Sequence, residues 1–137
     1  LILADTSVWI DYLNGKITPQ TDLLDVYLLE GTLAMGDLVL LEILQGIRND
    51  KQYKQVKAKL SLLDQYAMFD PSMVAKCADN FRFLRKKGIT IRKTNDVIIA
   101  SFCIDKAIPL LYSDRDFAPF SQYLNLQTVS KHSGASN

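Results

Sequence analysis

Leu1-Ile2-Leu3-Ala4-Asp5-Thr6-Ser7-Val8-Trp9-Ile10 opens the chain and decides its fold. Four apolar residues followed at once by an acid and two hydroxyl residues read as a short buried strand. Asp5, Thr6 and Ser7 are good helix-capping residues, so a short helix carrying Val8, Trp9, Ile10 and Leu13 inward is predicted next, ended by Asn14-Gly15. A carboxylate at the end of a buried strand is costly unless something positive shares its pocket.

The same grammar repeats along the chain. Pro19 starts a helix that Gly31 stops, and Thr32 to Met35 reads as a second strand. Asp37 is expected to cap a third helix with Val39, Leu40, Ile43, Leu44 and Ile47 inward. A basic helix is predicted over Gln52 to Tyr66 and a brief third strand over Ala67 to Phe69. Asp70-Pro71 starts a helix running to about Lys87, closed by Gly88. Thr94 or Asn95 caps the next, through about Lys106. Pro109 to Tyr112 is the fourth strand, Phe117 to Tyr123 a short helical or turn segment, and Leu126 to Val129 the fifth strand. Strands alternating with helices predict an α/β sandwich with a mostly parallel sheet, whose ligands bind outside the carboxyl ends of the strands.

The chain has 137 residues, 48% hydrophobic and 23% charged, which suits one globular domain over residues 1–130 with a flexible polar tail over 131–137. No apolar run reaches the ~20 residues that span a bilayer, and no basic segment precedes an apolar one as in a signal peptide. Cys77 and Cys103 read as buried free thiols, so a reducing cytoplasm is expected. The net charge of +1 conceals a division: Arg48 to Lys93 carries +8 and the remainder −7. Its densest part, Arg82, Arg85, Lys86, Lys87, Arg92 and Lys93, contains no acid and suits contacts to a phosphate backbone or a solvated helix face.

Much chemistry is excluded. The one histidine, His132, lies in the polar tail, and no phosphate-cradling or dinucleotide-binding glycine loop is present. The remaining candidates are acids at the edges of apolar segments: Asp5, Glu42, Asp96, Asp114 and Asp116. Asp5, Asp37, Asp70 and Asp96 could each serve as helix caps or first-turn acids, and that reading is taken for Asp37 and Asp70. Glu42 interrupts Val39-Leu40-Leu41 and Ile43-Leu44, where an unpaired charge is expensive. Gly46, four residues on, leaves space on the same helix face. All-carboxylate sites suit Mg²⁺ or Mn²⁺, which supports phosphodiester hydrolysis without histidine.

Asp5-Thr6-Ser7-Val8-Trp9-Ile10-Asp11, Glu42 with Gly46, Asp96-Val97-Ile98-Ile99-Ala100 and Ser113-Asp114-Arg115-Asp116-Phe117 resemble, in order, the motifs of PIN-domain ribonucleases, and most nearly the VapC toxins of type II toxin–antitoxin pairs. The resemblance implies a three-layer sandwich with a parallel five-stranded sheet in order 3-2-1-4-5. It implies an RNA endonuclease using one or two Mg²⁺ or Mn²⁺ ions, a homodimer, and inhibition by a cognate VapB-type antitoxin. Asp5, Glu42, Asp96 and Asp114 would be the acidic quartet, with Asp5, Asp96, Asp114 and Asp116 as metal ligands. Thr6 matches a hydroxyl that supports the first Asp, and Ser7 and Gly46 are further supporting positions. Val8, Trp9, Leu13 and the helix from Gln20 to Leu29 offer apolar surface to an antitoxin, although Trp9 serves equally as core. Two rivals remain. An aspartate-nucleophile phosphatase would use Asp5, but has Ser7 where a second Asp is usual. A non-catalytic PIN-like binding module would retain the acids as relics.

Overall fold

A computed structural model describes residues 1–129; the tail from Lys131 to Asn137, with His132, lies outside the described residues. Strand β1 (Ile2–Ala4) is followed by helices α1 (Thr6–Leu13) and α2 (Pro19–Glu30), and β2 (Leu33–Gly36) by α3 (Asp37–Gly46) and α4 (Asp50–Leu60). Then come β3 (Asp64–Tyr66), α5 (Pro71–Lys86), α6 (Thr94–Lys106) and β4 (Leu110–Leu111). A 3₁₀ turn (Arg115–Phe117) leads into α7 (Ala118–Leu124). No helix among the described residues is long and apolar enough to cross a membrane.

The sheet is parallel in order β3-β2-β1-β4, with Leu3 pairing both Ala34 and Leu110 at its centre. A parallel bridge from Leu110 to Thr128 stands where the fifth strand was expected, so the 3-2-1-4-5 order holds with its last member reduced to one bridge. The topology places the helices. Right-handed crossovers from β1 to β2 to β3 put α1 to α4 on one face. The return from β3 to β4 reverses direction and puts α5 and α6 on the other. The contacts agree, since α1 packs on α2 and α3, while α5 packs on α6 and α7. The strand order reverses between β1 and β4, and that switch point opens a crevice at their carboxyl ends.

Burial explains the elements. Leu3, Ala4, Ala34, Met35, Leu110 and Leu111 are wholly buried between the helical layers. Helix α6 is buried on most of its surface, including Val97, Ile99, Ala100, Phe102 and Cys103, and Asn80 of α5 donates to the Ser101 hydroxyl at 2.9 Å. Trp9 is core, 1% exposed, and Cys77 and Cys103 are buried free thiols as expected. The thiol of Cys103 is pushed up to about 12, first by burial and then by nearby Asp5, which leaves it protonated and inert.

Four local expectations are corrected. The basic helix ends at Leu60, and the third strand is Asp64–Tyr66 rather than Ala67 to Phe69. It is an edge strand with polar, largely exposed residues, so it lacks the apolar signature of the central strands. Asp37 does not cap α3, whose N-cap is Gly36. Its carboxylate instead accepts from the backbone N–H groups of Leu38 at 2.8 Å and Met68 at 3.0 Å, tying α3 to the chain beyond β3. Nor does Thr94 or Asn95 cap α6: the N-cap is Lys93, with no side-chain hydrogen bond.

Gly36 is where the backbone of β2 meets Met68. A Cβ there would lie 2.2 Å from the Met68 Sδ and within 2.9 Å of two further side-chain carbons, and Met68 is wholly buried. Gly36→Ala is expected to cost about 1–3 kcal/mol by overpacking. Met68→Ala in the same chain should make the added methyl harmless. Chemical denaturation of the two single variants and the double variant checks this.

Candidate metal centre

Each acid is delivered by the end of a different element. Asp5 follows β1 and is the N-cap of α1; its Oδ2 accepts from the Ser7 hydroxyl at 2.9 Å and the Ser7 N–H at 3.4 Å. Glu42 sits in the second turn of α3, where its Oε1 accepts from the Thr6 hydroxyl at 2.6 Å. Asp96 lies in the first turn of α6, whose N-terminal dipole favours negative charge. Asp114 is the N-cap of the 3₁₀ turn, and its Oδ1 accepts from the Asp116 N–H at 2.9 Å.

Asp5, Glu42, Asp96 and Asp114 line one open cavity of about 260 Å³, with Thr6, Ser7, Ile10, Gln45 and Lys93. Asp96 and Asp114 of this lining, together with Asp116, each offer a ligand oxygen, and these oxygens all lie within 4.8 Å of one another. The structure therefore gathers the four expected acids in one place and sets Asp116 beside two of them.

The electrostatics show what this gathering costs. Asp96 is 6% exposed, and its Oδ2 is buried without a hydrogen-bond partner. Burial and then the charge of Asp5 push its carboxyl up to about 7; Lys93 pulls it down, and Asp114 and Glu42 add smaller pushes. Asp5 is also raised, mainly by burial and slightly by Glu42, while hydrogen bonds from Ser7 and Thr6 oppose the rise. A buried, unpartnered carboxylate oxygen facing other carboxylates fits a divalent cation, which would supply the missing partner and the missing charge together.

Several supporting residues differ from expectation. The Thr6 hydroxyl holds Glu42 rather than the first Asp, and the Ser7 hydroxyl donates to Asp5. Ser7 Oγ also lies 3.2 Å from Ser113 Oγ, joining the β1 and β4 ends. Gly46 does not line the acidic cavity. It lines a neighbouring one with Ile10, Leu13 and Arg48, and a Cβ there would meet nothing within 4 Å. The basic cluster divides: Lys93 lines the cavity and Arg92 Nη2 reaches Asp116 Oδ2 at 3.4 Å. Arg85 and Lys87 instead lie over the Phe81 and Phe83 rings, and Arg82 lines an apolar groove between α5 and α6. Lys86 is exposed at the end of α5. Ile10 and Gln45 line the site unforeseen, yet each stands three or four residues along a helix from a recognised site residue, Thr6 and Glu42.

A parallel α/β sheet with a carboxylate-lined crevice at its topological switch point defines the class of protein. The chain belongs to the PIN domain family, whose profile matches residues 2–121. It is 28% identical over 134 residues to the VapC ribonuclease Mb1587 of Mycobacterium bovis, covering 95% of this chain and 98% of that one. Ribonuclease VapC11 of Mycobacterium tuberculosis matches equally. The fold resembles that in the crystal structure of VapBC2 from Rickettsia felis bound to a promoter DNA fragment, with a TM-score of 0.70 and 22% identity over 96% of this chain and 98% of that one. It also resembles VapBC-5, a toxin–antitoxin family member from Mycobacterium tuberculosis, with a TM-score of 0.65 and 20% identity over 95% and 98%.

The Asp96 carboxyl has a definite stability signature. It ionises near 3.8 ordinarily but near 7 in the fold, so the unfolded chain releases its proton first and cation-free stability falls as pH rises between those values. Asp96→Asn should therefore stabilise the chelator-treated protein at pH 8, on the order of 2–4 kcal/mol, with the gain fading towards pH 4. Thermal melts across that range, in chelator, measure it.

Proposed function

We propose that residues 1–130 form a Mg²⁺- or Mn²⁺-dependent endoribonuclease, the toxin of a toxin–antitoxin pair, with 131–137 as a tail. The observation that carries this reading is the convergence of Asp5, Glu42, Asp96 and Asp114 on one cavity in which the Asp96 Oδ2 has no partner. The VapC ribonuclease relatives, matched over nearly their whole length, support RNA as the substrate. The VapBC folds support a VapB-type antitoxin as the partner.

Asp5, Asp96 and Asp114 would hold one or two ions, with Asp116 at hand. A bound ion supplies Lewis-acid chemistry at the phosphodiester. The chain's residues do the positioning. Thr6 commits its hydroxyl to Glu42 Oε1, which fixes that carboxylate and leaves its other oxygen to accept a proton from the attacking water. Ser7 fixes Asp5 in the same manner. Lys93 and Arg92, at the mouth, take phosphates of the RNA backbone, and Arg82, Arg85, Lys86 and Lys87 extend the basic path. Hydrolysis in line leaves 5′-phosphate and 3′-hydroxyl ends, as the family resemblance implies. The phosphatase alternative requires an acylphosphate on Asp5, but the position two residues on, where a second Asp is usual, holds Ser7, whose hydroxyl donates to Asp5 Oδ2.

Incubating the protein with total RNA in Mg²⁺, Mn²⁺ or chelator, then mapping cut ends, tests the reading. Cutting should require the ion. Asp5→Asn and Asp96→Asn should remain folded and lose at least about 100-fold in rate. Thr6→Val, which removes only the hydroxyl that orients Glu42, should lose about 10–100-fold. Full activity in Asp96→Asn rejects the assignment.

A further inference from the structure

Arg92 and Asp116 form a contact that the nuclease reading leaves unexplained. Asp116 offers an oxygen to the tight group with Asp96 and Asp114, yet its Oδ2 is engaged by Arg92 Nη2. The contact is single and 3.4 Å long, whereas strong guanidinium–carboxylate pairs are bidentate and near 2.7–2.9 Å. The Arg92 side chain is 79% exposed and that of Asp116 24%, so solvent screens the pair. Asp116 itself is held firmly: its backbone N–H donates to Asp114 Oδ1 at 2.9 Å, and the next residue, Phe117, is wholly buried. One partner is fixed and the other is a long arm free to swing.

We infer that Arg92 is an exchangeable latch on Asp116: without a cation its guanidinium neutralises that carboxylate, and a divalent cation displaces it, freeing it to take a backbone phosphate of the incoming strand. The inference rests on the metal-dependent nuclease reading and assigns Arg92 a positioning role within it. Competition for Asp116 makes Arg92 weaken cation binding in the free protein. Release beside the site makes it strengthen nucleic-acid binding once the cation is present. One residue thereby couples the two ligands: the cation liberates the group that holds the strand, and by reciprocity a bound phosphate, by occupying Arg92, leaves Asp116 to the cation. A plain surface ion pair does neither, and a plain phosphate-binding arginine leaves cation affinity unaffected by way of Asp116.

The test is a Mn²⁺ titration of the free protein by calorimetry, comparing wild type with Arg92→Gln, Arg92→Lys, Asp116→Asn and Arg92→Gln/Asp116→Asn. Arg92→Gln should tighten Mn²⁺ binding about two- to fivefold, the range of an exposed ion pair, and Arg92→Lys should stay near wild type. In the Asp116→Asn background the Arg92→Gln change should have no effect. The second measurement is binding of a single-stranded RNA oligonucleotide with Ca²⁺ in place of Mg²⁺. Arg92→Gln should weaken it several-fold and reduce the log–log salt slope by about 0.7, the loss of one phosphate contact. Unchanged or weaker Mn²⁺ affinity in Arg92→Gln overturns the latch, as does tightening that persists without Asp116, or unaltered RNA affinity. Failure of the wild type to bind Mn²⁺ at all has a distinct meaning: it removes the metal reading, and the latch with it.

Discussion

Mutual repulsion among carboxylates is the constraint around which this protein is built. Asp5, Glu42, Asp96 and Asp114 share one cavity, and the carboxyl of Asp96 is raised first by its burial and then by the charge of Asp5, with smaller pushes from Asp114 and Glu42. Such a cluster does not assemble spontaneously. It is held because each acid is fixed to the end of an element whose apolar side is committed elsewhere: β1 and β4 through Leu3, Leu110 and Leu111, α3 through Val39 and Ile43, and α6 through Val97, Ile99 and Phe102. Burying such side chains yields roughly 1.5–3 kcal/mol each, enough together to outweigh a few unfavourable charge pairs. The core thus maintains a site that opposes it, the usual relation between scaffold and function.

Hydroxyl groups reduce that strain locally without removing it. Ser7 and Thr6, adjacent on the first turn of α1, serve different acids: Ser7 holds Asp5 and Thr6 reaches Glu42 on α3. The motif Asp5-Thr6-Ser7 therefore fixes one carboxylate from its own segment and one from another, and α1 and α3 pack directly against each other. Asp96 receives no such hydrogen bond at its Oδ2, which sets it apart from the acids stabilised by the chain itself.

The sequence revealed these features unequally, for physical reasons. Central strands and site acids were legible because a carboxylate beside a fully apolar run is conspicuous: Asp5 after Leu1 to Ala4, and Asp96 before Val97 to Ala100. The edge strand Asp64–Tyr66 was not, since a strand with exposed faces resembles the end of the polar helix before it. Thr6, expected beside Asp5, reaches Glu42 instead, because which neighbouring hydroxyl meets which acid depends on how α1 sits against α3, a tertiary matter. Helical spacing alone puts Gly46 on the face of Glu42, but it lines the adjoining cavity with Ile10 and Ile47. The charge division was correctly located along the chain, yet only Arg92 and Lys93 of its densest cluster reach the acids.

Asp37 carries a consequence out of proportion to its place at the sheet's margin. One of its oxygens receives the N–H of Leu38, at the start of α3, and the N–H of Met68, just past the outermost strand. Helix α3 is also the beam that bears Glu42, five residues further on. The rim of the sheet and the orientation of that glutamate are therefore mechanically joined, and a disturbance of the outer strand would be felt in the crevice without any crevice residue being altered.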